Sequence, residues 1–391
     1  MEVTTVGRHR VVPRHDAEWT LQLARPLTRR VLALGVETKN RLAMGRGSAL
    51  TLYPALGDLA EPSARTALEN RLTTLLNNPA TRPDLLAVDG HPDMVPSHLG
   101  RRLGHQYGIP VVAVQHQQAH AAACMAEHGL EASLALVCDG MGWGTDANLW
   151  GAELFQVVGG QVIRLGTFVP VPLPGGDAAV RHPVRQLVGR LVQAGVTISK
   201  AWQQRLGVSE TEIQIWTQQC RQGVNAPLSH AAGRLFDAFA AWLGVAPATI
   251  AHEGEPAMLL EATARRWTGG ESSLVIPFAV REDANGIQVD WAELFRTLSP
   301  LQVTEDLRPK WAYAFHQAVA LALARMITHG QQRTGLPCVV LSGGVFMNQL
   351  LLKLLLPILG RNPCQVYQHQ DIPPGDAGIA MGQVWLAERL V

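Results

Sequence analysis

The sequence predicts an α/β fold of two related lobes with a cleft between them. Two successive sets of three strands followed by helix, strand and helix carry that reading, one starting near residue 30 and the other near residue 133. The length agrees, because 391 residues with 47% hydrophobic and 17% charged side chains can fill two cores.

Residues 1–28 are polar and basic, with Arg8, His9, Arg10, Arg14 and His15, and are expected to be a linker. The N-terminal lobe is expected over 29–132 and the C-terminal lobe over 133–391. In the first, Val31 to Leu34 is a short apolar strand, Arg41 to Met44 its hairpin partner and Ala49 to Leu52 a third strand. Helical spacing follows over 62–77, where Ala67, Leu68, Leu72 and Leu75 recur at three and four. Asp84 to Asp89 is a buried strand, 95–107 a helix, and Ile109 to Val114 a strand running into a helix from Gln115. In the second lobe, strands are expected at Leu134–Cys138, Leu149–Val157 and Val162–Val169, then a helical insertion over 178–264. A strand at Val339–Leu341 feeds a helix over 345–356, and a last helix runs from Gly378.

Composition excludes several classes. Thirty-three basic against 32 acidic residues give a net charge of +1, which is not the excess a nucleic-acid binder carries. The five cysteines form no Cys-x-x-Cys pair, so neither a cysteine zinc site nor a disulfide framework is suggested. The run Leu350–Leu359 is broken by Lys353 and Pro357 and is too short to span a bilayer. With no apolar signal-peptide core at the start, a cytoplasmic protein is expected.

The strongest local signal is His116-Gln117-Gln118-Ala119-His120. Two histidines four apart on a helix share one face, so both imidazoles can reach one divalent metal. The alternative is a helix cap beside a satisfied, partly buried histidine. Further ligands would come from acidic strand-end loops, and two exist: Asp139-Gly140-Met141-Gly142 through Asp146, and Asp371 through Asp376. Glycines in the first allow close backbone approach to an anion, although a tight hairpin also wants them. Asp376 suits a metal or a helix N-cap equally. Ser342-Gly343-Gly344 through Asn348 is strand, glycine turn and helix, an arrangement that points amides at an anion. Asp237, ahead of an apolar run, suits a ribose hydroxyl or the helix dipole, and His252 to Glu255 punctuates the next helix.

In order, His116-x-x-x-His120, Asp139-Gly140, Gly233-x-x-Phe236-Asp237, Ser342-Gly343-Gly344-x-x-x-Asn348 and Asp376 resemble a carbamoyl-transfer family. That family includes the universal tRNA threonylcarbamoyl transferase, antibiotic O-carbamoyltransferases and the hydrogenase maturation protein HypF. The segments Leu34 to Asn40, His91-Pro92-Asp93, Trp150-Gly151-x-Glu153, Pro174 to Ala178 and Glu253 to Ala257 are similar to the C-terminal carbamoyl-transfer domain of HypF. The resemblance spans about 30–391.

It implies two lobes like those of actin and the sugar kinases, each a duplicated RNase H-like βββαβα unit, with the helical insertion in the second. It makes His116, His120, Asp139 and Asp376 ligands of one divalent metal, iron or zinc. Asp139 stands where the tRNA-modifying branch has Ser, so that assignment follows the carbamoyl branches. The resemblance places Lys39, Gly140, Met141, Gly142, Asp237, Gly254, Gly343, Gly344 and Asn348 against a nucleotide: ATP, AMP or carbamoyl-AMP. The implied reaction carries a carbamoyl group from carbamoyl-AMP to the C-terminal cysteine of a HypE partner, toward the cyanide ligands of nickel-iron hydrogenases. His91 is the candidate general base. Full HypF chains also resemble an acylphosphatase, cysteine zinc fingers and a carbamoyl-adenylate-forming domain. None of these is in the sequence, so the adenylate is expected from elsewhere. No nucleic-acid or membrane partner is implied. The competing readings are a small-molecule O-carbamoyltransferase, an actin-like sugar kinase or ATPase, and a noncatalytic nucleotide-binding docking domain.

Overall fold

The computed structural model describes residues 18–391 apart from 285, 300, 362 and 363. Residues 1–17, most of the expected linker, lie outside the described residues. The rest of that segment is not a linker. Trp19–Gln22 forms β1 and pairs antiparallel with β4, Ala49–Leu52, at a sheet edge. Its alternation of half-buried Trp19 and Leu21 with exposed neighbours is the period of a one-sided strand, which the basic composition around it obscures.

The first sheet adds β2 (Val31–Ala33), β3 (Ala43–Arg46), β5 (Leu85–Asp89) and β6 (Val111–Val114), in the order β1-β4-β3-β2-β5-β6. Helices α1 (Pro62–Asn77) and α2 (Val95–Tyr107) make the crossovers, and α3 (His116–His128) follows β6. Both crossovers start with proline near N1, where its missing N–H is no loss.

The second sheet repeats the plan with β7 (Ala132–Trp143), β8 (Leu149–Val158), β9 (Gln161–Phe168), β14 (Cys338–Ser342) and β15 (Gln365–Gln368). In both sheets the third, second and first strands run antiparallel to one another, and the fourth and fifth join parallel to the first. Between β9 and β14 lie β10 (Val171–Pro172), α4 (Asp177–Arg181), α5 (Pro183–Gln193), α6 (Lys200–Leu206), α7 (Glu210–Gln222), β11 (Leu228–Ser229), α8 (Ala232–Leu243) and α9 (Glu255–Ala264). The hairpin β12 (Ala279–Asp283) and β13 (Gly286–Asp290), α10 (Ala292–Leu298) and the 27-residue α11 (Arg308–Thr334) complete that stretch. Phe239 stacks on Phe315 of α11 at 4.1 Å, tying the insertion to the core of the second lobe. After β14 come α12 (Gln349–Leu359), then β15 and α13 (Ile379–Ala387).

The last helix of each half packs on the sheet of the other half. Helix α3 lies against β7 and β14, α13 lies against β2 and β3, and the two helices cross. Small residues permit the crossing: a Cβ on Gly382 would fall 1.8 Å from the carbonyl oxygen of Ala119. Buried Gln383 then exchanges two hydrogen bonds with the backbone of Gly35, at 3.0 and 3.3 Å. Neither sheet is complete without its partner's helix, and the histidine pair rides on the exchanged helix α3.

Candidate metal centre and nucleotide cleft

Helix α3 begins at His116 because Gln115, in extended conformation, caps it by accepting the Gln118 N–H. His116 and His120 therefore stand one turn apart on a single face, with ring centroids 5.1 Å apart. Both rings are buried, and the Nε2 atom of each has no hydrogen-bond partner. Asp139 Oδ2 lies 3.5 Å from His116 Nε2 and 3.4 Å from His120 Nε2, and Asp376 Oδ1 lies 3.7 Å from both. One ligand atom from each residue falls within 4.8 Å of all the others.

That spacing fits an ion. Ligand atoms about 2.1 Å from a tetrahedral metal stand about 3.4 Å from one another, close to the 3.4–3.7 Å histidine–carboxylate separations here, whereas direct hydrogen bonds would be shorter. The electrostatics agree. Burial favours the neutral form of both imidazoles, yet it is outweighed: Asp139 and Asp89 hold His116 well above its usual range, and Asp139 and Asp376 raise His120. Reciprocally, burial alone would raise both carboxyls, but the two imidazoles hold Asp139 well below and Asp376 below the usual value. Two anionic carboxylates and two orphaned ring nitrogens converge on a place for positive charge.

Three of the four ligands are fixed from behind. Asp89, fully buried at the end of β5, meets His116 Nδ1 at 2.9 Å and turns its Nε2 inward. The Gly344 N–H donates to Asp139 Oδ1 at 2.9 Å, and Thr38 Oγ1 donates to Asp376 Oδ2 at 2.7 Å. Asp89 and Thr38 were not among the sequence candidates. Asp89 looks like the end of an apolar strand, and its pairing with a helix 27 residues later leaves no local pattern.

The glycine segments are closely packed. Strand β7 runs through Asp139 to Trp143 with a register shift between Cys138 and Gly142, so Gly140–Gly142, with half-buried Met141 between them, is a bulge in a long strand and not a turn after a short one. A Cβ on Gly142 would sit 2.2 Å from Gln117 Nε2, and one on Gly140 would sit 2.6 Å from Glu253 Oε1. Gly343, at φ +98°, lies under the bulge, where a Cβ would come 2.3 Å from the Cys138 carbonyl oxygen. Gly344 begins a short 3-10 turn that ends before α12.

Lys39 and Glu253 reach across from opposite lobes to 3.9 Å, both half-exposed, with Lys39 in the left-handed region at φ +49°. Gly254 is the left-handed N-cap residue of α9. Two other candidates are engaged inside the fold. Asp237 is buried in an ion pair with Arg234 at 2.8 Å and accepts from Gln186 at 3.2 Å, while its Oδ1 has no partner. Asn348 caps α12 through Oδ1 and bonds His316 Nε2 at 3.0 Å through Nδ2. His91 packs edge-on to Trp143 at 5.2 Å, and its backbone N–H donates to Asp89.

Comparison with known proteins bears on the family and the fold. A profile of the HypF Kae1-like domain matches residues 26–127, and one described as the second subdomain of the carbamoyltransferase Kae1-like domain matches residues 135–383. The carbamoyltransferase HypF homolog of Cupriavidus necator is 35% identical over 362 residues, covering 92% of this chain and 91% of that protein. The chain belongs to the HypF carbamoyltransferase family. Carbamoyltransferase HypF2 of the same organism is 36% identical over 383 residues, 91% of this chain, but the chain spans only 46% of its length. A crystal structure of full-length HypF in a phosphate- and nucleotide-bound form superposes with a TM-score of 0.85 at 27% identity, covering 96% of this chain and 57% of that one. HypF from T. kodakarensis gives 0.82 at 26% identity, over 95% of this chain and 49% of that one. These matches bear out the expected fold, two sheets of repeated topology as in HypF. Among the described residues, no helix is long and apolar enough to cross a membrane.

Proposed function

We propose that the chain transfers a carbamoyl group from carbamoyl-AMP to the C-terminal cysteine thiol of a HypE-like partner, in maturation of the cyanide ligands of nickel-iron hydrogenases. The observation that carries the reading is the four-residue cluster, whose orphaned His116 and His120 Nε2 atoms face two carboxylates at ligand spacing. His116, His120, Asp139 and Asp376 would hold one divalent ion, iron or zinc, which when bound supplies Lewis-acid polarisation of a phosphate or carbonyl oxygen.

The protein's own groups bind and orient. The phosphate of the adenylate is assigned to the backbone of the Gly140–Gly142 and Gly343–Gly344 segments, and the Lys39 ammonium exchanges Glu253 for that phosphate. Asp237, Gly254 and Asn348 belong to the nucleotide side of the cleft. The acceptor sulfur attacks the carbamoyl carbon, a C–S bond forms, and the C–O bond to AMP breaks with its electron pair leaving on the phosphate. The thiol proton goes to His91. Its Nδ1 accepts the Asp93 N–H at 3.1 Å, so Nε2 carries the ring's own proton and Nδ1 is the nitrogen that takes the thiol's, giving up that backbone contact.

The test supplies carbamoyl-AMP and a partner peptide ending in cysteine to metal-reconstituted protein and follows the peptide by mass spectrometry. A carbamoylated thiol that requires the cysteine and is lost in Asp139→Asn supports the reading. Release of AMP with no peptide product, or product on a sugar or antibiotic hydroxyl alone, contradicts it.

A further inference from the structure

A second buried polar chain runs behind the metal cluster, and nothing described so far uses it. Glu127, the penultimate residue of α3, accepts at Oε1 the backbone N–H groups of Gln370 at 2.9 Å, of Asp371, and of Ile372 at 3.2 Å. Its Oε2 meets His369 Nδ1 at 3.2 Å, and His369 Nε2 shares a hydrogen bond of 2.7 Å with Ser342 Oγ. Ser342 Oγ in turn donates to the backbone oxygen of His120 at 2.8 Å. The three side chains are almost wholly buried. Next to Glu127, His128 Nε2 bonds the Gln368 carbonyl oxygen at 2.7 Å.

Serine, histidine and glutamate in this order have the connectivity of a nucleophilic triad. The serine is fully buried and its hydroxyl is directed at a backbone oxygen, so it is not placed to attack a substrate. What the chain does is join three segments, two of which bring proposed metal ligands while the third orients another. Its first end is the helix of His116 and His120. Ser342 immediately precedes the Gly343–Gly344 turn, whose Gly344 N–H orients Asp139. The 370–372 backbone clamped by Glu127 leads through two prolines and a glycine to Asp376.

We propose that Glu127 is the positioning residue of the metal centre, acting through His369 and Ser342 to hold the Asp376 loop and the Gly343 turn in register with α3. This rests on the metal reading above. A carboxylate accepting three backbone amides and an imidazole holds a loop far more firmly than the loop's own sequence can. Consistently, although burial opposes ionisation, His369 and these amides keep the Glu127 carboxyl below its usual range. Glutamine can accept at one oxygen but cannot replace the charge or serve both sides.

The experiment measures two things on the full chain, for wild type, Glu127→Gln, Glu127→Asp, Ser342→Ala and His120→Ala. The first is hydrogen exchange of apo-protein, which needs no metal. The second is binding of zinc or ferrous iron by competition with a chelator. In Glu127→Gln we expect faster exchange confined to 369–378 and affinity about 10–100-fold weaker, the usual range for groups supporting a ligand. Ser342→Ala should show a smaller loss of the same kind, and Glu127→Asp a partial recovery. Unchanged exchange over 369–378 in Glu127→Gln overturns the proposal whatever the metal result. Unchanged affinity in Glu127→Gln, while His120→Ala loses the metal, overturns it and leaves the metal reading standing. If wild type binds no metal, the metal reading fails and takes the proposal with it.

Discussion

His120 and His316 are both fully buried, yet the protein treats them in opposite ways. His316, on α11, bonds the Ala312 carbonyl oxygen through Nδ1 at 2.7 Å and Asn348 through Nε2 at 3.0 Å. Every polar atom of that ring has a neutral partner, and burial pushes its pKa down to about 4. His120 Nε2 has no hydrogen-bond partner and faces two carboxylates, which raise its pKa despite burial. A buried histidine satisfied by neutral groups holds the fold together. One left unsatisfied in front of anions marks where a cation belongs.

The comparison can be broken in several places, and the largest effect is expected at the unsatisfied site. Asp139→Asn keeps an oxygen for the Gly344 N–H but removes the charge. It should abolish zinc or iron retention through a desalting column while leaving the circular dichroism unchanged. Asp89→Asn acts one step back and should weaken metal binding by about 10–100-fold, measured by chelator competition. At the satisfied histidine the effect should fall on stability and not on the metal. Asn348→Ala removes a helix cap and strands His316 Nε2, which together cost about 2–4 kcal/mol in urea unfolding. Metal affinity should stay at the wild-type value.

The smallest effect concerns pH. Glu153 is fully buried between Thr167 and its own strand, and burial pushes its carboxyl up to about 8. The folded state keeps its proton where the unfolded chain has lost it, so this residue's contribution is whole below the ordinary glutamate pKa and declines as pH climbs toward 8. His316 acts with the opposite sign. Its contribution is whole above the ordinary histidine pKa and is lost as pH falls toward 4. Glu153→Gln should flatten the decline in melting temperature between pH 5 and 8 and leave the acid limb in place.

Much of this was legible in the sequence because it is local. The His116/His120 spacing, the Asp139 and Gly343 strand ends and the order of strands and helices all lie within short windows. What was not legible depends on contacts between distant residues. The exchange of α3 and α13 between lobes rests on one glycine, Gly382, passing Ala119. Asp89 and Glu127 act on partners 27 and more than 240 residues away. The edge strand Trp19–Gln22 was hidden in a basic segment that composition alone assigns to a linker. The long helix α11 lay in a stretch where the sequence offered no glycine or acidic motif to anchor a reading.

The most direct measurement is elemental analysis of purified protein, wild type beside His116→Ala and His120→Ala, each checked for folding by circular dichroism. The account predicts about one equivalent of iron or zinc in wild type and none in either folded variant. Wild type that stays metal-free after reconstitution with both ions, or variants that keep the full equivalent, would contradict it.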